Sequence, residues 1–205
     1  STGYKPLSSA QTLRNHKTNY IGVIIPKINS DSISHMVLGI STILATHDYQ
    51  LLLACTNNDE KEEIKYLNLF KENHVDGVIL IGTVITAEHK IALKNISVPI
   101  VILGQQLEGY SCVYPDDYHA AKELTSYMAA HANKWGMIYA TKKDQSVGVA
   151  RFHGFMDALN ACHQTIDDDC MIESAFTFEA GYEAAKELFS KAYDIDSLLC
   201  ATDTI

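Results

Sequence analysis

Apolar residues in this chain come in short unbroken runs, separated by stretches in which they recur at helical spacing. Ile21, Val23, Ile24 and Ile25 form a β-branched run that stops at Pro26, which cannot donate to a central ladder. Asn29, Ser30, Asp31 and Ser32 then offer helix-capping side chains. Met36, Val37, Ile40, Ile43 and Leu44 follow at i, i+3/4 and i+7/8, the stripe of an amphipathic helix. Strand, polar turn and helix make the first unit of an open α/β sheet, in which ligands bind beyond the carboxyl ends of the strands.

The unit then repeats. A strand is predicted over 50–56 and a helix over 59–73, where Asp59 and Glu62 have capping-box spacing and Ile64, Leu67 and Phe70 line one face. Strands over 77–81 and 100–103 flank a short helix over 87–95, and a polar link over 104–111 leads to a short strand at 112–114. These runs are continuous rather than alternating, as parallel strands covered on both faces require. From Asp116 the pattern restarts. A helix runs through Ala120, Leu124 and Met128, then a strand over 136–140, then a helix with Val149, Phe152, Met156 and Leu159 on one face. A weaker strand over 171–174, a helix over 181–192 (Ala184, Ala185, Leu188, Phe189) and a strand over 197–201 complete the series. The expected architecture is α/β, with two Rossmann-like lobes of parallel sheet and helices on both faces. Residues 1–19 precede the lobes, which span 20–115 and 116–205. A last strand as apolar as 197–201 leaves an unprotected edge, so the second lobe reads as truncated.

Composition narrows the function classes. At 205 residues and 47% apolar content the chain can bury a sizeable core, and it has no apolar run long enough to span a membrane. No secretory signal pattern is visible. The five cysteines are odd in number and never in C-x-x-C spacing, and four of them sit in or beside apolar stretches, which favours buried thiols in a reducing cytosol over disulfides or zinc. The net charge is −9, yet the first twenty residues carry Lys5, Arg14 and Lys17 and no acid. The acidic body is a poor surface for phosphate backbones, so any DNA contact belongs to the N-terminal segment or to residues outside this sequence. Catalytic signatures are missing: no H-E-x-x-H, G-x-S-x-G, Walker or G-x-G-x-x-G pattern occurs. Asp167, Asp168 and Asp169 read as a solvated turn, and Asp116 and Asp117 as a helix start whose charge suits the dipole. No enzyme activity, cofactor or metal is expected.

A series of ordered motifs resembles the lactose-repressor/galactose-repressor (LacI/GalR) family of bacterial transcription regulators. Gly3-Tyr4-Lys5-Pro6 is similar to the family's GY-x-P, which closes the DNA-binding headpiece, and Ser9-Ala10-Gln11-Thr12-Leu13-Arg14 to its hinge helix. Lys17-Thr18 through Val23 is similar to the start of the core. Val75-Asp76-Gly77-Val78-Ile79, Val98-Pro99-Ile100-Val101, Val113 with Asp116, Arg151 with Gly154-Phe155, and Ala201-Thr202-Asp203 fall at the family's spacing. The order of these motifs carries the resemblance, which covers nearly the whole chain.

The resemblance implies a ligand-responsive transcriptional repressor, cytoplasmic and homodimeric, with a periplasmic-binding-protein-like core. Such a core takes a small effector, here a sugar, between its lobes, and controls operator DNA allosterically through a hinge and headpiece. Tyr4, Ala10, Gln11, Leu13 and Arg14 are the hinge candidates. The counterpart of Leu13 wedges into the minor groove, whereas on composition alone the segment is a frayed terminus. Without headpiece and DNA it is expected to be disordered or displaced. Arg151 stands at the sugar-contacting arginine, and its alternative is a surface salt bridge with Asp157 or a neighbour. Phe176 matches the aromatic on which the effector ring stacks; the alternative is a core phenylalanine, with Phe178 able to take either role. Asp31 and Ser32 fall where relatives carry Pro and an aromatic, so the site becomes more polar; Asp31 is otherwise the N-cap. Thr202 replaces the usual Asn, and Gln105 and Gln145 occupy turns facing the cleft, with solvated surface positions as the alternative. Two rival readings remain: a periplasmic sugar receptor without a DNA-binding role, and an α/β enzyme.

Overall fold

Asp76 sets where the first strand begins. Its carboxylate accepts from Thr18 N (3.0 Å), the Thr18 hydroxyl (3.2 Å) and Asn19 N (2.8 Å), holding Asn19 at a φ of 58° that asparagine tolerates better than most residues. In this computed structural model, which describes residues 17–82, 84–191 and 194–205, the chain divides into two units, Ser1–Tyr114 and Pro115–Ile205.

In the first unit β1 (Tyr20–Ile25), β2 (Gln50–Cys55), β3 (Gly77–Leu80), β4 (Ile100–Leu103) and β5 (Ser111–Val113) form one parallel sheet in the order β2-β1-β3-β4-β5. The β1 run is apolar throughout because both faces are covered. Ile24 points to one face, among Leu67, Phe70, Leu80, Leu93 and Ile102, while Val23 and Ile25 point to the other, with Ile33 and Ile81. Helices α2 (Glu60–Glu72) and α3 (Ala87–Lys94) supply the first face, and α1 (Asp31–Thr46) the second.

The capping details differ from expectation. Asp59 caps α2, accepting from Lys61 N and Glu62 N, but Glu62 pairs with Lys65 instead of reaching back to the cap. The reciprocal capping box occurs at α3, between Thr86 and His89. On α1, Ile33 is the buried residue and Met36, Val37 and Ile40 pack beside it, whereas Ile43 is 60% exposed and so does not belong to the core-facing stripe.

The second unit has three parallel strands, β6 (Trp135–Ala140), β7 (Met171–Ser174) and β8 (Ser197–Cys200), in the order β7-β6-β8. Its first strand is clamped as β1 is: the Asp196 carboxylate, just before β8, accepts from Asn133 N and Lys134 N, just before β6. Helices α4 (Asp117–Met128) and α5 (Arg151–Ala161) pack on one face and α6 (Phe178–Lys191) on the other. A π-helical turn, Gln145–Ala150, leads into α5, so Val149 falls outside the regular helix and Phe155, Ala158 and Leu159 become its buried face. Phe189 of α6 is likewise half out of the core, which takes Ala184 and Leu188 instead.

Gly154 and Gly148 are among the glycines set by close approach to backbone. A Cβ on Gly154 would lie 2.2 Å from the Tyr118 carbonyl oxygen of α4, and one on Gly148 would lie 1.9 Å from the Thr141 carbonyl oxygen. The cysteine expectation is corrected: all five thiols are free, and none is fully buried, because each sits at the margin of a core cluster or, for Cys162, in an exposed helix end. No described helix is long and apolar enough to cross a membrane.

Candidate ligand-binding site

At the carboxyl ends of the first unit's strands the polar side chains are tied to one another. The Thr56 hydroxyl, just past β2, lies 3.2 Å from the Ile25 carbonyl oxygen and 3.4 Å from Glu63 Oε1. His89 Nε2 lies 3.0 Å from Glu63 Oε2, and both side chains are almost wholly inaccessible, at 0% and 2%. Thr86 N donates to His89 Nδ1 (3.2 Å), so Nε2 is the nitrogen that donates to Glu63. One buried chain of hydrogen bonds thus joins β2, α2, α3 and the turn before α3.

Gln105 belongs to the same framework. It is 3% exposed, and its amide nitrogen donates to the Gly82 carbonyl, bracing the segment after β4 against the segment after β3. The solvated alternative for Gln105 is therefore corrected: a buried amide must find a partner, and Gly82 supplies it. Asp31 and Ser32 are exposed at the start of α1. Ser30 occupies the N-cap position, so Asp31 is the first helical residue rather than the cap. The Ser30 and Ser32 hydroxyls lie 3.0 Å apart, which turns Ser30 away from capping.

In the second unit Arg151 opens α5, and its guanidinium is held on two sides. Nε donates to Asp117 Oδ1 at 2.7 Å, Nη2 lies 2.7 Å from the same oxygen, and Nη1 donates to the Ala201 carbonyl just past β8. The Arg151 side chain is 32% exposed and that of Asp117 only 5%. The salt bridge considered for Arg151 thus exists, but with Asp117. Asp157 accepts from the Tyr118 hydroxyl instead, at 2.7 Å.

Asp144 caps the π-helical turn, accepting from Ser146 N and Val147 N. Burial pushes its carboxyl above the usual carboxylate range, backbone N–H groups pull the other way, and the negative charge of Asp117 adds a smaller upward push. Beside it Gln145 is exposed. Thr202 is half-buried, its hydroxyl accepting from Ile205 N (3.2 Å). Phe176 is half-buried in the segment between β7 and α6, and Phe178 is 71% exposed, so neither is a fully buried core phenylalanine.

Arg151, Asp117, Asp144 and the Ala201 carbonyl are therefore gathered at one end of the second sheet. Asp117 and Asp144 were not among the predicted site residues. The helix-start signal at Asp116-Asp117 was legible, but not that the second acid turns inward. An open groove of about 490 Å³ lies elsewhere, between the β7 edge and α6, lined by Ile172, Ser174, Glu183 and Glu187 among others and by none of the predicted residues. Tyr4, Ala10, Gln11, Leu13 and Arg14 lie outside the described residues. Among the described residues no three His, Cys, Asp or Glu side chains are grouped to hold a metal.

Known proteins place this arrangement in context. The chain is 31% identical over 203 residues to the sucrose operon repressor of Staphylococcus xylosus, covering 98% of this chain and 62% of that protein. It is 29% identical over 191 residues to catabolite control protein A of the same organism, covering 90% and 57%. The chain thus spans about three fifths of the length of these relatives. The crystal structure of the transcription regulator CcpA of Lactococcus lactis superposes with a TM-score of 0.80 at 26% identity, over 90% of this chain and 68% of that one. The family model described as periplasmic binding proteins and sugar binding domain of the LacI family matches residues 18–205. With parallel α/β units and a match that runs through both of them, this chain belongs to the family of periplasmic binding proteins and LacI-type sugar-binding domains.

Proposed function

We propose that this chain is the effector-binding core of a LacI-type transcriptional repressor, and that its effector is a sugar. The observation that carries this reading is the Arg151 fork. A guanidinium fixed by Asp117 and the Ala201 carbonyl at the strand ends of the second unit keeps outer N–H groups for neighbouring ligand hydroxyls. Gln145 and Thr202 lie on segments that follow strands β6 and β8 of the same sheet, and Asp31 and Ser32 are exposed after β1 of the first unit. Phe176 offers a ring for the apolar face of a sugar. The similarity to a protein named a sucrose operon repressor makes sucrose and its component sugars the first ligands to try.

In this reading residues 1–19 form the hinge toward a DNA-binding headpiece, and the regulator acts as a homodimer on a two-fold operator. The apolar residues that α1 leaves exposed, Leu38 at 64% and Ile43 at 60%, support a protein contact on that helix. Effector binding shifts the population between conformations that differ in affinity for the operator.

Isothermal titration of this chain with sucrose, fructose, glucose and ribose tests the reading, followed by Arg151→Ala on any sugar that binds. Loss of the charged donor lowers affinity about tenfold or more. Unchanged affinity in the folded variant removes Arg151 from the site. On the natural full-length protein, fluorescence anisotropy with promoter DNA of sugar-utilisation genes measures whether the same sugar changes operator affinity.

A further inference from the structure

The environment of Arg151 specifies more than that hydroxyls are read. An arginine that recruits a phosphate ester or a carboxylate does so with uncompensated positive charge, because attraction over several ångströms depends on the net charge of the cluster. Here the guanidinium contacts Asp117 Oδ1 at 2.7 Å from both Nε and Nη2; the Asp117 side chain is 5% exposed and that of Arg151 32%, so a shielded carboxylate sits directly behind a guanidinium whose outer part still meets solvent. A second buried acid, Asp144, is 4% exposed and close enough to feel the charge of Asp117. The three side chains together supply one positive group and two acids. The outer N–H groups of the fork remain good donors to a neutral hydroxyl, which requires only a hydrogen bond. An incoming dianion meets a compensated cation with carboxylates behind it.

We propose that this site takes an uncharged polyhydroxylated ligand and rejects its phosphate ester, with Asp117 as the residue that sets this choice by neutralising Arg151. The proposal rests on the sugar-binding reading above and adds the ligand's charge class to it. Asp117 acts through Arg151 and is a positioning and specificity residue.

The test is a set of matched titrations on this chain: sucrose against sucrose 6-phosphate, fructose against fructose 6-phosphate, glucose against glucose 6-phosphate and ribose against ribose 5-phosphate, with inorganic phosphate alone as a further ligand. The neutral member of the binding pair is expected to bind at least about tenfold more tightly. Asp117→Asn keeps an oxygen beside the guanidinium but removes the charge, and is expected to shift the ratio toward the ester by about tenfold. Asp144→Asn, which retains the helix cap, shifts it in the same direction by less. Salt separates the effects further: the ester affinity gained in Asp117→Asn falls with ionic strength while that of the neutral sugar does not. Tighter binding of an ester by the unaltered chain overturns the proposal and leaves the sugar reading standing. So does an unchanged ratio in Asp117→Asn with an unaltered circular dichroism spectrum. If Asp117→Asn does not fold, the ratio in the unaltered chain and in Asp144→Asn decides. No binding by any of these sugars or esters overturns the sugar reading and this proposal together.

Discussion

Asp144 combines two demands that conflict above acidic pH. As a cap it accepts two backbone N–H groups, which favours its charged form, but burial disfavours that form more strongly and the net effect is a raised pKa. A carboxyl whose folded pKa is raised contributes stability that is fully present below its unfolded pKa and is lost as pH rises through the folded value. Asp144→Asn retains the cap, since asparagine caps as well as aspartate, and removes the ionisation. In urea unfolding between about pH 4 and pH 7, the variant is expected to lack this group's loss of stability on raising pH and to match or exceed the parent at neutral pH. A parent that gains no less stability than Asp144→Asn on raising pH contradicts the assignment. At this scale the sequence was partly readable. Arg151 stood out as a candidate from its place before Gly154-Phe155, but the acid it pairs with lies 34 positions away, and no local pattern marks which acid turns inward.

The elements themselves were largely legible. The strands β1 to β4 and the caps at Asp59 and Asp116 follow from apolar runs, turn residues and capping side chains that act within a few positions. What escaped were features that two elements create jointly. The π-helical turn before α5 accompanies Gly148 lying against the Thr141 carbonyl, and the Glu63–His89 pair joins helices 26 positions apart. Both kinds of joint feature can be tested. Gly154→Ala drives a methyl to within 2.2 Å of a backbone carbonyl of α4, which must move because no side chain is there to rotate. A loss of about 1–3 kcal/mol is expected in thermal or urea unfolding. His89→Ala leaves the Glu63 carboxyl with, among the described residues, only the long 3.4 Å contact to Thr56, and is expected to cost about 3 kcal/mol, with His89→Gln costing less because a donor remains. Equal stability for the two His89 variants argues that packing, not the hydrogen bond, matters there.

Across the whole molecule the same winding occurs twice: in each unit the first strand lies between the second and third, and an aspartate before the third clamps the chain entering the first. The five thiols give a reagent map of this arrangement. Burial pushes Cys170 and Cys200 up, with nearby aspartates adding to the effect at Cys170, while Cys162 is exposed. Iodoacetamide followed by peptide mass spectrometry is expected to label Cys162 first and Cys170 and Cys200 late, since the thiolate is the reacting form. Early labelling of Cys200 contradicts the packing of β8 against α6. Asp117 has the widest reach. Aspartate and asparagine codons differ by one base transition, so the residue that compensates Arg151 can be exchanged in a single mutational step. If the proposed site is the one used, that single exchange moves its preference from a neutral ligand toward a phosphate ester without rebuilding any loop.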